Sequence, residues 1–262
     1  MLSLERRDGR PLRIGHRGAA ALASENTLRS FRVAREVGVD LVEFDVLDLE
    51  SGELVVAHSN DLLEVSHGAA PGSVRDKSLA ALREVAPELP TLDDALAFFA
   101  EEAPEIGVHL DLKAPAVVEG VLAALERFQL VERAFVSSFH IGALRHASRL
   151  EPRLRTGVSF PQDRLRISKR RGSAPLIRMG LRVARPLTPA FAAALLARSG
   201  ASALVLHHCL IGERTVRRAH ARGIAVVAWT VENPRDLARL DGVGVDAIVV
   251  NNPTMFVSTL EP

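Results

Sequence analysis

Residues 41–46 read LVEFDV, a stretch in which two carboxylates alternate with apolar side chains. Successive side chains of a strand point to opposite faces, so Glu43 and Asp45 share one face and the apolar residues at 42, 44 and 46 share the other. The apolar face suits packing against helices that cover a sheet. The two carboxylates are then expected to point into the interior of a closed barrel.

Strand-like and helix-like segments alternate along the rest of the chain. Repeated βα steps predict a parallel sheet, and eight such steps within 262 residues favour a closed (β/α)8 TIM barrel over an open doubly wound sheet. No G-x-G-x-x-G motif follows a predicted strand, which weighs against a nucleotide-binding sheet. The strands are predicted at 12–16, 40–47, 106–112, 134–138, 154–160, 203–206, 224–230 and 245–250, with a further hairpin strand at 53–58.

Two predicted helices have clear start signals. Residues 26–38 carry a helical stripe of apolar side chains, and Ser24 or Asn26 is expected to cap its start. Thr91 is expected to cap a helix over 92–102, because two aspartates follow in its first turn, where the helix dipole favours anions.

Composition excludes several classes of function. The net charge is +1, tyrosine is absent and aromatic residues are 4% of the chain, so neither a basic field nor stacking platforms for nucleic acid are expected. The single cysteine, Cys209, allows no intrachain disulfide, which fits a reducing compartment. The first residues make a poor secretory signal, and no apolar run is long enough for a membrane span. A cytoplasmic protein is therefore expected, with its oligomeric state left open.

The third barrel strand repeats the pattern of the second. His109, Asp111 and Lys113 face one way, so a third carboxylate is expected inside the barrel. Like charges repel in a low-dielectric interior, and a divalent cation would resolve that repulsion. Oxygen ligands suit Mg²⁺, Ca²⁺ or Mn²⁺. The alternative is a set of salt bridges to structural cations, including an Asp111–Lys113 pair.

Two histidines and an arginine lie at or directly after the ends of other predicted strands. Two imidazoles of near-neutral pKa can serve as general acid and general base, a role open to His16 and His58. The guanidinium of Arg17 presents a fork of donors that matches two phosphate oxygens. Lys113 could hold another anionic group, and Glu25 is a candidate to orient Arg17 or His16. Together these residues indicate a site for an anionic ester.

Several ordered motifs resemble those of the glycerophosphodiester phosphodiesterase family over nearly the whole chain. The strongest resemblance covers 15–58 and contains GHRG, ENTLRSF, GVDLVEFDV and GELVVAH. Further motifs are LPTLDDAL at 89–96, HLDLK at 109–113, VSSF at 136–139, GIAVVAWTV at 223–231 and GVDAIVVNNP at 244–253.

The resemblance implies one metal-dependent TIM-barrel domain over 1–262, with 59–90 as a small insertion. It implies hydrolysis of a small-molecule glycerophosphodiester to glycerol 3-phosphate and an alcohol, with a divalent cation as cofactor. It also implies roles for individual residues. These are acid/base catalysis by His16 and His58, phosphate binding by Arg17 and Lys113, substrate binding by Trp229, and metal ligation by Glu43, Asp45 and Asp111.

The sequence departs from the family pattern at several positions. Asp111 stands where Glu is usual, Ser59 where Asp is usual, Glu64 where Arg is common, and Asn251 or Asn252 where Asp is common. Because of these departures, the sequence does not identify the alcohol that is released. A lysophospholipase D-like enzyme, another phosphodiester hydrolase, and an inactive barrel that only binds phosphoesters are the alternatives.

Two further segments allow more than one interpretation. Residues 161–186 are strongly basic and partly amphipathic, which is consistent with a lid, with peripheral contact to anionic lipid headgroups, or with a solvated loop and helix. His207, His208 and Cys209 could form a soft metal site or a thiol nucleophile. Because adjacent strand residues point apart, their side chains are expected to diverge.

Overall fold

The barrel is formed by parallel strands in a computed structural model that describes residues 2–162 and 172–260. In these residues the nine strands pair in the order β1-β9-β8-β7-β6-β5-β4-β2-β3, and β1 also pairs with β2. That last pairing closes the sheet, so eight strands form a closed barrel and the predicted (β/α)8 fold is confirmed. The strands are β1 Leu12–Gly15, β2 Leu41–Asp48, β3 Leu54–Val56, β4 Gly107–Leu112, β5 Ala134–Ser138, β6 Arg155–Phe160, β7 Ala203–His207, β8 Ala225–Val231 and β9 Ala247–Val250.

Helices cover the outside of the barrel. Their apolar faces pack on the outward side chains of the strands, including Val42, Phe44 and Val46, in the largest buried cluster of the described residues. A smaller cluster, with Ile14, Leu41 and other inward residues, fills the barrel interior. The helices are α1 Leu28–Val37, α2 Leu62–Val65, α3 Leu79–Val85, α4 Leu92–Ala97, α5 Val118–Arg127, α6 Ile141–Leu150, α7 Ala174–Ala184, α8 Thr188–Ser199, α9 Glu213–His220, α10 Pro234–Gly242 and α11 Thr254–Leu260.

Strands β2 and β4 are adjacent, and their register aligns the polar residues. Glu43 pairs with His109 and Asp45 pairs with Asp111 across the parallel ladder. Paired residues of parallel strands point to the same face. All four side chains therefore lie on the inner side, in agreement with the alternation in the sequence.

Strand β3 lies outside the closed barrel. It pairs antiparallel with β2, and the chain after it forms the predicted insertion with α2 and α3. This insertion has a buried cluster of its own, in which Leu62, Val74 and Leu82 pack against Leu47 and Val55 of the hairpin. Because β2 belongs to both structures, the insertion is anchored directly on the barrel wall.

The structure confirms the predicted cap of one helix and differs from the predicted cap of another. Thr91 forms a capping box with Asp94 at the start of α4, as predicted, and a π-helical turn at Phe98–Glu102 continues that helix. The expected cap of α1 was wrong: the side chain of Thr27 caps it by accepting a bond from Ser30 N at 3.1 Å. In the described part of the chain, no helix combines the length and the hydropathy needed to span a membrane.

Candidate active site

The loop after β1 brings His16 and Arg17 to the carboxyl end of the barrel. Arg17 and Gly18 both have a positive φ, of 49° and 88°, which turns the chain sharply over the strand end. A Cβ at Gly18 would lie 1.8 Å from Ser30 Oγ and 2.7 Å from its backbone carbon, so only glycine fits. Gly18 N donates to Glu43 O at 3.2 Å, and this bond fixes the loop on β2.

Three carboxylates and two cations meet below this loop. Lys113 Nζ lies 2.6 Å from Asp45 Oδ1 and 2.5 Å from Asp111 Oδ2. Arg17 Nε lies 3.0 Å from Asp45 Oδ2, and Arg17 N donates to Glu43 Oε2 at 2.9 Å. The three acids are all buried. The salt bridges considered from the sequence are therefore present, and Lys113 joins two of the predicted metal ligands.

Burial and the neighbouring charges shift the pKa of Asp45, Glu43 and Lys113. Burial would raise the pKa of Asp45, but Lys113 and Arg17 hold it well below its usual value. Burial and the neighbouring Asp45 raise the pKa of Glu43 well above its usual value. Burial would lower the pKa of Lys113, yet Asp111, Asp45 and Glu43 raise it. Asp45 and Asp111 thus have cationic side chains as close partners, whereas Glu43 accepts from the backbone N of Arg17.

Two neutral side chains support the acids. Asn26 Nδ2 donates to Asp45 Oδ2 at 2.8 Å, which explains why Asn26 is not available to cap α1. Ser137 Oγ donates to Asp111 Oδ1 at 2.7 Å and lies 2.9 Å from His109 Nε2. A chain of bonds therefore runs from His109 through Ser137 to Asp111, and it fixes the direction of the carboxylate.

Each of the two predicted catalytic histidines is held through its Nδ1 atom. His16 Nδ1 donates to Asn251 Oδ1 at 2.6 Å, and its Nε2 lies 3.9 Å from Glu43 Oε2. His58 Nδ1 donates to Glu64 Oε1 at 2.6 Å. In both histidines Nε2 is left available for proton transfer. Burial and the nearby Arg17 lower the pKa of His16 to about 3, so the imidazole is neutral.

The site opens onto a rim that contains aromatic rings. The ring of Trp229 lies 5.9 Å from that of Phe139 and 5.5 Å from that of His207, edge-on in both cases. Trp229 Nε1 donates to Val205 O at 3.0 Å, so the indole is fixed in place. Trp229 is half-buried and packs against the interior cluster.

The donor set fits a hard divalent cation. Glu43, Asp45 and Asp111 offer carboxylate oxygens from adjacent strands, as such cations prefer. Burial and the neighbouring Asp45 raise the pKa of Glu43, and a cation bound at its carboxylate would relieve that cost. Among the described residues, the three-residue group of possible metal ligands whose ligand atoms already lie within 4.8 Å of one another is His207, His208 and Cys209, so an ion at the acids would have to draw their carboxylates together.

A model of the glycerophosphoryl diester phosphodiesterase family matches residues 16–255. The chain belongs to this family. The match covers the loop with His16, all the barrel strands after it, and the insertion. The enzyme class inferred from the sequence motifs is therefore confirmed by family membership and by the names of the relatives.

Individual relatives of the family cover almost the whole chain. A glycerophosphodiester phosphodiesterase of Arabidopsis thaliana is 27% identical over 96% of this chain and 74% of its own length. A probable glycerophosphodiester phosphodiesterase of Mycobacterium tuberculosis is 29% identical over 97% of this chain and 93% of its own. A phosphodiesterase of Oleispira antarctica, solved in complex with the product sn-glycerol-3-phosphate, has the same fold, with 23% identity, 97% and 98% coverage and a TM-score of 0.73.

The structure bears on the two segments for which the sequence allowed more than one interpretation. The side chains of His207, His208 and Cys209 were expected to diverge, which was wrong: their ligand atoms lie within 4.8 Å of one another. The reason is that β7 ends at His207 and the chain turns at once into a 3-10 helix at His208–Leu210. Of the basic segment 161–186, residues 163–171 lie outside the described residues.

Sequence reasoning missed the residues that position the site. Asn26 was expected to cap a helix, and Ser137 was not considered. Glu64 and Asn251 were noted only as departures from the family pattern, although each bonds to a predicted catalytic histidine. A polar residue directly after a barrel strand is the signal that could have found Asn251 and, with it, the partner of His16.

Proposed function

We propose that this family member hydrolyses glycerophosphodiesters to glycerol 3-phosphate and an alcohol, with His16 and His58 as acid and base and with a divalent cation bound by Glu43, Asp45 and Asp111. One observation carries the proposal. One imidazole, two cations and three carboxylates lie close together at the carboxyl ends of the barrel strands, where barrel enzymes carry out their chemistry. The second imidazole, that of His58, is near enough to contribute to the lowered pKa of Asp45.

The cations of the site suit a phosphodiester. Arg17 is oriented by Glu25, whose Oε1 accepts from Nη1 at 2.6 Å, and by Asp45, whose Oδ2 lies 3.0 Å from Nε. Lys113 stands between two carboxylates that are also the proposed metal ligands. When bound, a divalent cation would supply positive charge beside the phosphoryl oxygens. Arg17 and Lys113 would add to that charge as it develops on the phosphate in the transition state.

The histidines suit proton transfer. Both donate through Nδ1 to a fixed acceptor, which leaves Nε2 as the atom that faces the reaction. Burial holds the pKa of His16 near 3, so its imidazole is neutral and its Nε2 carries a lone pair. We leave the division of roles to experiment: one imidazole removes the proton of the attacking oxygen and the other protonates the departing alcohol. The attacking oxygen belongs to water or to the glycerol part of the substrate.

The first experiment measures turnover of the purified His16→Ala and His58→Ala variants. Each is expected to lower kcat by about 10²–10⁴-fold, which is the usual contribution of a positioned acid or base. His146→Ala is a matched control, since His146 lies on the exposed side of α6 and contacts only Glu119 at 3.1 Å. A near-normal rate in either active-site variant, with the fold intact by circular dichroism, contradicts the assignment.

The second experiment separates the substrate classes and tests the cofactor. Glycerophosphocholine, glycerophosphoethanolamine, glycerophosphoglycerol and lysolipids are assayed with Mg²⁺, Ca²⁺, Mn²⁺ or a chelator. Activity on the soluble diesters that a chelator removes supports the proposal. Calorimetric titration with each cation should detect binding by the wild type and weaker binding by Glu43→Gln. Activity confined to lysolipids favours the lysophospholipase D alternative, and undiminished activity in chelator contradicts the proposed metal site.

A further inference from the structure

Helix α7 presents an apolar face that the rest of the described chain leaves uncovered. Leu176, Met179 and Val183 are spaced three or four positions apart and so share one side of α7. Together with Leu187, in the 3-10 helix Arg185–Leu187 that follows, we call them the α7 ridge. Their exposed fractions are 67%, 59%, 76% and 60%. No residue of α7 is buried, and Phe191 at the start of α8 extends the exposed apolar surface. Apolar surface of this extent in a folded protein marks a site of contact.

The ridge lies at the same end of the barrel as the candidate active site. Arg178 on α7 lies 3.4 Å from Glu232, directly after β8, and Arg185 Nε donates to Cys209 O, directly after β7, at 2.9 Å. Strands β7 and β8 end at this point with His207 and Trp229 in ring contact. Helix α7 therefore lies at the rim of the mouth, beside the ends of β7 and β8.

The surroundings of the ridge are positively charged. No acidic residue occurs in the sequence between Asp163 and Glu213. A cavity beside α7 is lined by four arginines, together with Asn233 and Asp236. Asp236 is already paired, with Arg239 at 3.3 Å and with His208 at 3.6 Å. The four arginines of this cavity are Arg182, Arg185, Arg235 and Arg239.

The same positive charge argues against a metal at His207, His208 and Cys209. Arg182, Arg178 and Arg239 all act on this cluster, and each would repel a cation. Burial also raises the pKa of the Cys209 thiol, which disfavours the thiolate that a soft metal needs. The cluster instead takes part in the scaffold of the rim, because Arg185 and Arg239 bond to its backbone carbonyls.

We propose that the α7 ridge docks the enzyme on the surface of an anionic phospholipid bilayer, with the apolar side chains in the interface and the arginine-lined cavity against the lipid phosphates. An apolar stripe flanked by cations is the pattern of a helix that lies in a membrane interface. A second copy of the chain fits less well, because a two-fold contact through the ridge would bring the arginines of both copies together. The proposal does not depend on the hydrolytic activity proposed above.

Flotation with vesicles tests the proposal. The full chain is mixed with phosphatidylcholine vesicles or with vesicles in which part of that lipid is replaced by phosphatidylglycerol. Binding is expected to the anionic vesicles and to weaken as salt is added. Met179→Ser/Val183→Ser should lower the partition coefficient by at least about tenfold, since it removes apolar insertion. Arg182→Gln/Arg235→Gln should lower it by roughly fivefold for each arginine, from about 1 kcal/mol per charge.

Matched variants elsewhere on the surface serve as controls. Leu150→Ser removes an exposed leucine of α6 and Arg217→Gln an exposed arginine of α9, and neither should change binding. Thermal unfolding checks that every variant is folded. Absence of wild-type binding to anionic vesicles, or equal binding by the ridge variant, overturns the proposal. So does a dimer in sedimentation that Met179→Ser/Val183→Ser dissociates, because a second copy then covers the ridge.

Discussion

Asp40 is expected to stabilise the barrel without taking part in catalysis. It lies at the amino end of β2, opposite the mouth, and is buried. Its carboxylate accepts from Arg13 N at 2.7 Å, from Arg10 Nη1 at 2.6 Å and from Arg7 Nη1 at 2.8 Å. Burial would raise the pKa of Asp40, but the bonds from Arg10 and Arg13 lower it. The ionised form is therefore the one that the fold prefers.

The expected loss in the free energy of unfolding of Asp40→Asn follows from these contacts. An amide oxygen can still accept the bond from Arg13 N, so the loss comes mainly from the two arginines. Bonds to charged groups contribute about 1.5–3 kcal/mol each, but Arg7 and Arg10 are 55% and 27% exposed, and solvent screening reduces their share. We expect the free energy of unfolding to fall by about 2 kcal/mol at pH 7.

The effect should depend on pH with a definite sign. The folded pKa of Asp40 is below its unfolded value, so its stabilisation is complete above about pH 4 and is lost as the pH falls further. Urea unfolding of wild type and variant, from pH 7 down to about pH 3.5, should give two curves whose separation narrows below about pH 4. Turnover by the folded variant should equal that of the wild type.

The exposed pair of Asp93 and Arg127 provides the control for Asp40. Both side chains are more than half exposed, so Asp93→Asn should cost less than about 0.5 kcal/mol. If Asp40→Asn costs no more than this control, or if its cost is the same at both ends of the pH range, the charge of Asp40 is not what stabilises the barrel.

Three other variants test separate parts of the structure. Ser137→Ala removes the donor to Asp111 and should weaken cation binding by about 10–100-fold in a calorimetric titration. Glu64→Ala releases the ring of His58 and should lower kcat by about 100-fold with KM little changed, whereas Glu64→Gln, which keeps an acceptor, should recover part of the rate. Gly157→Ala places a Cβ 2.5 Å from a phenylalanine ring and should cost about 1–3 kcal/mol in urea unfolding, whereas a like change at a glycine with open surroundings, Gly142, should cost nothing.

The fold could be predicted from the sequence because its signals are local. The alternation of carboxylates and apolar residues in β2 defines an inner and an outer face, and β4 repeats it with His109 and Asp111. A parallel register then brings the two sets together without any further information. The strand boundaries of the sequence analysis agree with the structure to within about two residues, as such boundaries usually do.

The parts that were missed depend on contacts between distant residues. Asparagine is a common helix cap, but the side chain of Asn26 bonds to Asp45, 19 positions later, and Thr27 caps α1 instead. The side chains of His207, His208 and Cys209 were expected to diverge as neighbours in a strand do, but the chain turns into a 3-10 helix at His208–Leu210 and brings them together. No local pattern in the sequence reveals the bond between Asn26 and Asp45 or the turn that follows β7.

The bond between His16 and Asn251 joins the first barrel strand to the segment that follows the last one. His16 N also donates to Val250 O at 2.9 Å, so this histidine is positioned almost entirely by residues more than 200 positions away. During synthesis on the ribosome, a chain lacking its final strand would contain every proposed metal ligand and both imidazoles, yet would not orient one of them. Turnover should therefore begin only after β9 and Asn251 have been synthesised and have packed against β1.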